Sequence, residues 1–363
     1  MKVALVHDAL VNRGGAERVF RILCEMFPDA TVYTTVYFPD RTFPYFKSRR
    51  VVTTPLQKVV RSEEQLKILF PLANRFMERL PIRDEEMILS SSTYAAKYIS
   101  AKGIPHVSYC YTPFRLLWSP SSYLGSLNHA VQTAMVLPSL PLLRKWDYSA
   151  AQRVTKFVAM TKETHDRILK CYKRPSEIVP PPIDIRKFSV VGDPSEYFLV
   201  VSRLEPYKRV DIAVRAFNEL GLPLTIVGDG SLRNRLKALA KKNIEFLGLV
   251  SDGELAHMYH GCRAVIFPQR EDYGLVPLEA NASARPVICY GAGGVNDTMV
   301  PYSENNKETA TALFFNEQTV NSLKHAVLRF GDLHFERAAL LRNARCFDKE
   351  TFKQKIYNIL QAC

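Results

Sequence analysis

The chain has 363 residues, 47% of them hydrophobic and 23% charged, with no short-period repeat or low-complexity segment, which sets aside fibrous and disordered classes and leaves room for two globular cores. Lys and Arg total 49 against 36 Asp and Glu, a net charge of +13 that favours anionic partners; the basic residues are dispersed and accompany no nucleic-acid module, so nucleic acid is not an expected partner. The seven cysteines form no Cys-x-x-Cys pair and are odd in number, which argues against a disulfide framework or a zinc site and for a reducing compartment.

At the N-terminus only five residues separate Lys2 from Asp8, too few for a signal-peptide core, and no uncharged stretch is long enough to span a bilayer. The expected location is cytoplasmic, at most peripheral on the inner face of a membrane. "KVALVH" then reads as a buried strand, Gly14-Gly15 as a turn, and "AERVFRILCEMF" as a helix with apolar residues at helical spacing. The alternation recurs at "TVYTTVY", "EMILSSS", "HVSYCY" and "KFVAMT", a succession of βα units that implies a parallel, doubly wound sheet over residues 1–180. His7 falls at the end of the first strand beside Asp8, either as a site residue or as a residue that merely closes the strand. His106 lies at the start of a later strand and reads as a packing residue. Between 115 and 150 the chain mixes Ser, Pro and large apolar residues, and either packs as a buried helix pair or forms a mobile loop on the acceptor side or facing a membrane.

Three prolines in "IVPPPIDIRKF" (178–188) supply no backbone donors and favour extended backbone, as a stiff connector does. A second alternation follows, with strand-like runs at "YFLVVSRL", "PLTIVGDG", "IEFLGLV", "RAVIFPQ" and "RPVICYG", and helical patterns at "RVDIAVRAFNEL" and "SLRNRLKALAKK". This gives a second doubly wound domain over 181–345 and a C-terminal helix, 346–363, able to pack back on the first domain. In the expected fold the two domains face a cleft at the carboxyl ends of their sheets, where such folds bind ligands.

Two segments of the second half carry chemistry. In "SRLEPYKRVD", Arg203 follows a strand and Lys208 precedes a helix, which reads as an anion site or as two ordinary surface cations. In "REDYGLVPLEANASARPVICYGAGG", Glu271 and Glu279 flank Tyr273 and Gly274. Gly274 would let the backbone N–H groups of Gly274, Leu275 and Val276 approach a diphosphate at a helix start. The two carboxylates would accept hydrogen bonds from the hydroxyls of a sugar and a ribose on either side of it. Acids near a helix start are also accounted for by the macrodipole, worth a few tenths of a kcal/mol per charge. No Asp-x-Asp element occurs, so no metal and no further cofactor are expected beside the nucleotide-sugar donor.

The segments "GGAER" (14–18), "SYCYTPFRLLW" (108–118), "VPPPID" (179–184), "VSRLEPYKRVDIAVRAF" (201–217), "IVGDG" (226–230) and "EDYGLVPLEA" (271–280) resemble glycosyltransferase family 4, the retaining, nucleotide-sugar-dependent enzymes of GT-B fold. The resemblance is closest to the bacterial O-antigen and polysaccharide mannosyltransferase branch. It implies transfer of a hexose, mannose from GDP-mannose, to a saccharide or lipid-linked saccharide acceptor, with weak association of the protein with anionic membranes. It also implies that Arg203 and Lys208 bind the diphosphate, Glu271 the donor hexose and Glu279 the ribose hydroxyls, and that Gly14 and Gly15 admit the donor phosphates; Gly228, Tyr273, Gly274, Leu275 and Val276 complete the donor-binding set. Where the family has histidine before Thr-Pro this chain has Tyr111, and Ser119 replaces the acid that often follows the tryptophan. Tyr111 is therefore expected beside the donor sugar, as a neutral hydroxyl and a bulkier ring. Two other readings use the same residues: a nucleotide-sugar-binding scaffold without activity, and a nucleotide-sugar epimerase or hydrolase, which would need a further set of acid and base carboxylates.

Overall fold

The computed structural model describes residues 1–82, 84–100, 103–120, 139–188 and 196–363. They form two compact units, Met1–Pro180 with Lys353–Cys363, and Pro181–Phe352.

The first unit is built on a seven-stranded sheet of β1 (Val3–His7), β2 (Val32–Thr34), β3 (Val51–Thr53), β4 (Met87–Ser92), β5 (His106–Cys110), β6 (Lys156–Ala159) and β7 (Ser176–Ile178). Its order is β3-β2-β1-β4-β5-β6-β7 and every pair is parallel. All five residues of β1 and all six of β4 are buried, so both strands read as continuous runs rather than alternating ones, as strands covered on both faces do. Helix Gly15–Met26 turns Val19, Phe20, Ile22 and Leu23 into the core. The β4–β5 side contains a buried ion pair that nothing in the sequence announced. Asp147 accepts from Lys97 Nζ (2.6 Å), Tyr98 Oη (2.8 Å), Trp118 Nε1 (2.8 Å) and Tyr172 Oη (2.9 Å). Four donors on one carboxylate compensate for its removal from water, and they tie the segment after Tyr111 to the helix Leu140–Gln152.

The second unit holds β8 (Phe198–Val201), β9 (Leu224–Val227), β10 (Ile244–Gly248), β11 (Val265–Phe267), β12 (Val287–Tyr290) and β13 (Ala312–Phe315). Their order is β10-β9-β8-β11-β12-β13, again all parallel. Phe198, Val200, Ile226 and Ile266 form one core with Val214 and Phe217 of helix Val210–Leu220, and Leu199, Val265 and Phe267 form another with Leu278 and Tyr259.

Each sheet reverses its winding direction once, between β1 and β4 in the first unit and between β8 and β11 in the second. The carboxyl ends of those paired strands are the places where such sheets leave a crevice for a ligand. The ten strand-like runs of the sequence are all strands. Three more, β3, β7 and β13, were not expected: β3 and β7 are three-residue edge strands, half-buried or exposed, too short to display a period. Of the segment 115–150, the ends are the helices Arg115–Trp118 and Leu140–Gln152, whereas 121–138 lie outside the described residues.

Candidate functional site

In the second unit the crevice between β8 and β11 gathers most of the expected donor-binding residues. Arg203 leaves the end of β8 and donates from Nη2 to Tyr207 Oη at 2.6 Å. Lys208 closes the short 3₁₀ turn Pro206–Lys208, and Arg209, at φ 52°, turns the chain into helix Val210–Leu220. From across the crevice, at the end of β11, Glu271 accepts a hydrogen bond from Lys208 Nζ through Oε1. The lysine side chain is 12% exposed and the glutamate 22%. Burial, and secondarily the neighbouring Arg203, pull the Lys208 ammonium down to about 8, while the Glu271 carboxylate in contact with it favours its charged form. Gln269 Nε2 lies 3.4 Å from the same Oε1, so the carboxylate is held from two sides.

The glycine cluster after β12 explains why this loop can exist. Gly294 donates to Glu271 O at 2.8 Å, and Gly293 stands at φ 83° with room for no side chain: a Cβ there would lie 2.2 Å from Glu271 O. Tyr273 is half-buried and donates to Pro181 O at 2.6 Å; its hydroxyl braces the loop, and the removal of that group from water pushes its pKa up. Gly274 is the N-cap of helix Leu275–Ala282, where a Cβ would lie 2.9 Å from Phe267 Cζ. The N–H groups of Leu275 and Val276 are first-turn donors with no acceptor inside their own helix. Glu279, one turn on, is buried and accepts from Tyr259 Oη at 2.7 Å through Oε2. At Gly228 the requirement is close packing: its φ is 129°, a Cβ would meet Ser202 O at 1.9 Å, and its N–H is already donated to Gly248 O.

The first unit assembles the other expected residues between β1 and β4. Gly14 is the N-cap of helix Gly15–Met26, and its N–H donates to Asn12 Oδ1 and to Glu17 Oε2, both at 3.0 Å. The start of this helix is thus capped from within by Glu17, so a phosphate at Gly14 would share its place with a carboxylate; at Gly15 a Cβ would meet nothing within 4 Å. Tyr111, just past β5, is 9% exposed. Its hydroxyl lies 3.0 Å from Ala16 O and 2.9 Å from Ser91 Oγ, and burial raises its pKa. Ser91 Oγ in turn lies 3.0 Å from His7 Nδ1. His7 is buried, stacks on Phe20 at 4.6 Å, and turns Nε2 towards Glu17 Oε1 at 3.8 Å. Asp8 is a structural acceptor: it takes the N–H groups of Thr93, Tyr94, Ala95 and Ala96 at the turn after β4. His106 is buried against Ser90 Oγ (2.7 Å), and burial with the Arg153 charge lowers it to about 3, so it stays neutral.

Sequence reasoning brought Lys208 and Glu271 to one site but missed Gln269, Glu17 and Ser91. Glu17 had a signal, since a glutamate three residues past a helix N-cap is the capping-box spacing; the other two had none. Among the described residues no group of three or more His, Cys, Asp and Glu is placed to hold a metal ion, and no helix is long and apolar enough to cross a membrane.

Residues 13–187 match the family model Glycosyltransferase Family 4, and residues 183–346 match Glycosyl transferases group 1. The O-antigen chain mannosyltransferase C of Escherichia coli is 30% identical over 149 residues, covering 36% of this chain and 40% of that protein. The alpha-1,3/1,6-mannosyltransferase ALG2 of Saccharomyces cerevisiae is 24% identical over 309 residues, covering 68% of this chain and 59% of that one. Matched segments span between 32% and 59% of the length of such curated relatives. Among solved structures, Anabaena HepE in complex with UDP and glucose superposes with a TM-score of 0.72 at 16% identity, over the full length of both chains. With two all-parallel Rossmann-like units, the fold is the α/β GT-B fold.

Proposed function

We propose that this chain, a Glycosyltransferase Family 4 domain followed by a Glycosyl transferases group 1 domain, transfers a hexose from a nucleotide sugar to a saccharide or lipid-linked saccharide with retention at the anomeric carbon. The donor we assign is GDP-mannose, a choice supported by the mannosyltransferases among its relatives. The observation that carries the reading is the Lys208–Glu271 pair, with Arg203 beside it, at the winding reversal of the second sheet.

A diphosphate entering there competes with Glu271 for the Lys208 ammonium. As the lysine turns to the phosphates, the carboxylate is released to accept hydrogen bonds from hexose hydroxyls. The first-turn N–H groups at Gly274, Leu275 and Val276 add donors for the leaving diphosphate, and Glu279 offers its remaining capacity to the ribose. When the bond to the nucleotide breaks, oxocarbenium-like charge develops on the sugar, and the departing phosphate oxygen can take the acceptor proton on the same face. The protein's contribution is positioning and fixed charge, with no metal required.

A panel of nucleotide sugars tests this by thermal shift and by radiolabel transfer to saccharide acceptors. A donor at a hundred times its dissociation constant stabilises by about 2.7 kcal/mol. Stabilisation by GDP-mannose above other nucleotide sugars is expected. No stabilisation by any of them would end the reading, and binding without transfer or hydrolysis would favour a scaffold. The net charge of +13 supports weak binding to anionic vesicles that fades as salt rises; absence of cosedimentation at low salt would remove that part.

A further inference from the structure

The connection from β10 to β11 starts at an edge of the second sheet and must pass over β9 and β8, because β11 lies on their far side. Helix Asp252–Gly261 lies in that crossover, and so comes to rest against helix Leu275–Ala282, which follows β11. Its start is fixed by a capping box: Ser251 Oγ accepts from the Glu254 N–H at 3.3 Å, and Glu254 Oε2 accepts from the Ser251 N–H at 2.8 Å. Further along, Tyr259 is the one residue of the helix that is buried. It is fully enclosed, packs with Val265, Phe267 and Leu278, and meets the Phe188 ring edge-on at 5.8 Å.

A phenol hydroxyl taken into a core needs a partner, and a buried carboxylate needs donors. Each supplies the other here: Tyr259 Oη donates to Glu279 Oε2 at 2.7 Å. A glutamate side chain turns about several bonds, and a ligand that had to order it would bind more weakly by the freedom lost. Tyr259 orders it in the free protein, from a ring that packing holds in place. A carboxylate has about four acceptor positions and the phenol has a single proton to give, so the bond orients the group without exhausting it.

We infer that Tyr259 is a positioning residue for the nucleotide's ribose, holding the Glu279 carboxylate in the orientation in which it accepts from the vicinal 2′ and 3′ hydroxyls. The inference rests on the donor-site reading, in which Glu279 receives the ribose, and adds a residue that acts only through Glu279.

The test is isothermal titration calorimetry of the full chain with GDP and UDP, each beside its 2′,3′-dideoxy analogue. Wild type should prefer at least one ribonucleotide to its dideoxy analogue by about tenfold or more, at 1.4 kcal/mol per decade. Glu279→Ala should erase that preference. Tyr259→Phe keeps the ring and its packing and removes only the hydroxyl; the preference should fall to about threefold or less, with affinity lost from the ribonucleotide and kept by the dideoxy analogue. Adding Tyr259→Phe to Glu279→Ala should change the ratio no further, since the two act as one unit. Both ligands of a pair sample the same folded protein, so any loss of fold cancels from the ratio, and a tyrosine that only filled the core would lower both affinities together. The inference is overturned, with the donor site left standing, if nucleotides bind but wild type shows no ribose preference, if the preference survives Glu279→Ala, or if Tyr259→Phe keeps the wild-type ratio. If neither GDP nor UDP binds wild type, the donor-site reading falls and takes this inference with it.

Discussion

Replacing Lys208 is the most direct probe of the donor site, because its ammonium is both nearly buried and shared. In the free protein it is held by Glu271, and in the proposed reaction it meets the charge that develops on the leaving diphosphate. Lys208→Ala therefore removes a donor from a site with little water to replace it. Losses of one such preorganised group run to about 10²–10³-fold in turnover, some 3–4 kcal/mol. We expect kcat/KM for the donor to fall by that amount while the melting temperature changes little, since the alanine variant also relieves the desolvation of a buried cation. The pH profile adds a second reading of the same group. With the ammonium lowered to about 8, wild-type kcat/KM should decline as pH rises through that region, because the neutral amine cannot neutralise a diphosphate. Lys208→Arg stays charged throughout and should lose this alkaline limb, even if its different geometry lowers the plateau. Glu271→Gln should move the limb to lower pH, since the carboxylate that favours the charged form has gone. Initial rates with GDP-mannose across pH 6–10 measure all of this, over a range chosen to bracket the lysine with about two units either side. Turnover of Lys208→Ala within threefold of wild type, or an alkaline limb that stays in place in Lys208→Arg, would refute the assignment.

Tyr111→Phe removes the donor to Ala16 O and the hydroxyl that Ser91 Oγ contacts, so it should cost about 1–3 kcal/mol of stability by chemical denaturation and lower turnover. Tyr111→Ala should cost more because it also empties the ring's place, and equal denaturation midpoints for wild type and Phe would show the hydroxyl to be idle. Gly293→Ala would force the Glu271 loop aside and should abolish donor-dependent thermal shift while the protein remains folded; an unchanged shift would mean the loop is not part of the donor site. His106 is held neutral, its pKa depressed from 6.5 to about 3, so the unfolded chain binds a proton the native one does not, and stability present above about pH 6.5 drains away as pH falls towards 3. Urea unfolding should show that slope flattened in His106→Gln, and an identical slope would assign the acid sensitivity to another group.

How much of this was legible beforehand can be argued from single residues. The strands β1 and β8 were readable because buried parallel strands are largely continuous apolar runs, and the glycines at 14 and 15 because a helix start after a strand is a local pattern. Edge strands β3 and β7 were not, since three residues, none of them fully buried, carry hardly any periodic signal. Arg203, Lys208 and Glu271 were identifiable as chemistry by residue type and spacing. Their pairing was not, because 63 residues separate Lys208 from Glu271 and only the winding order of β8 and β11 makes them neighbours.

The same holds for the first unit. Its sequence offered His7, Tyr111 and a glutamate at capping-box spacing as separate features, each with an ordinary explanation. What brings them together is Ser91, a serine among three, whose Oγ lies 3.0 Å from His7 Nδ1 and 2.9 Å from Tyr111 Oη although 84 and 20 residues separate it from them in the chain. Local sequence thus determined the elements, their alternation and the residue types available at the loops, because periodicity, capping and turn chemistry act over a few residues. Which of those loops meet, and so which acids, cations and hydroxyls share hydrogens, was decided by sheet order alone, since parallel pairing joins strands that are distant along the chain.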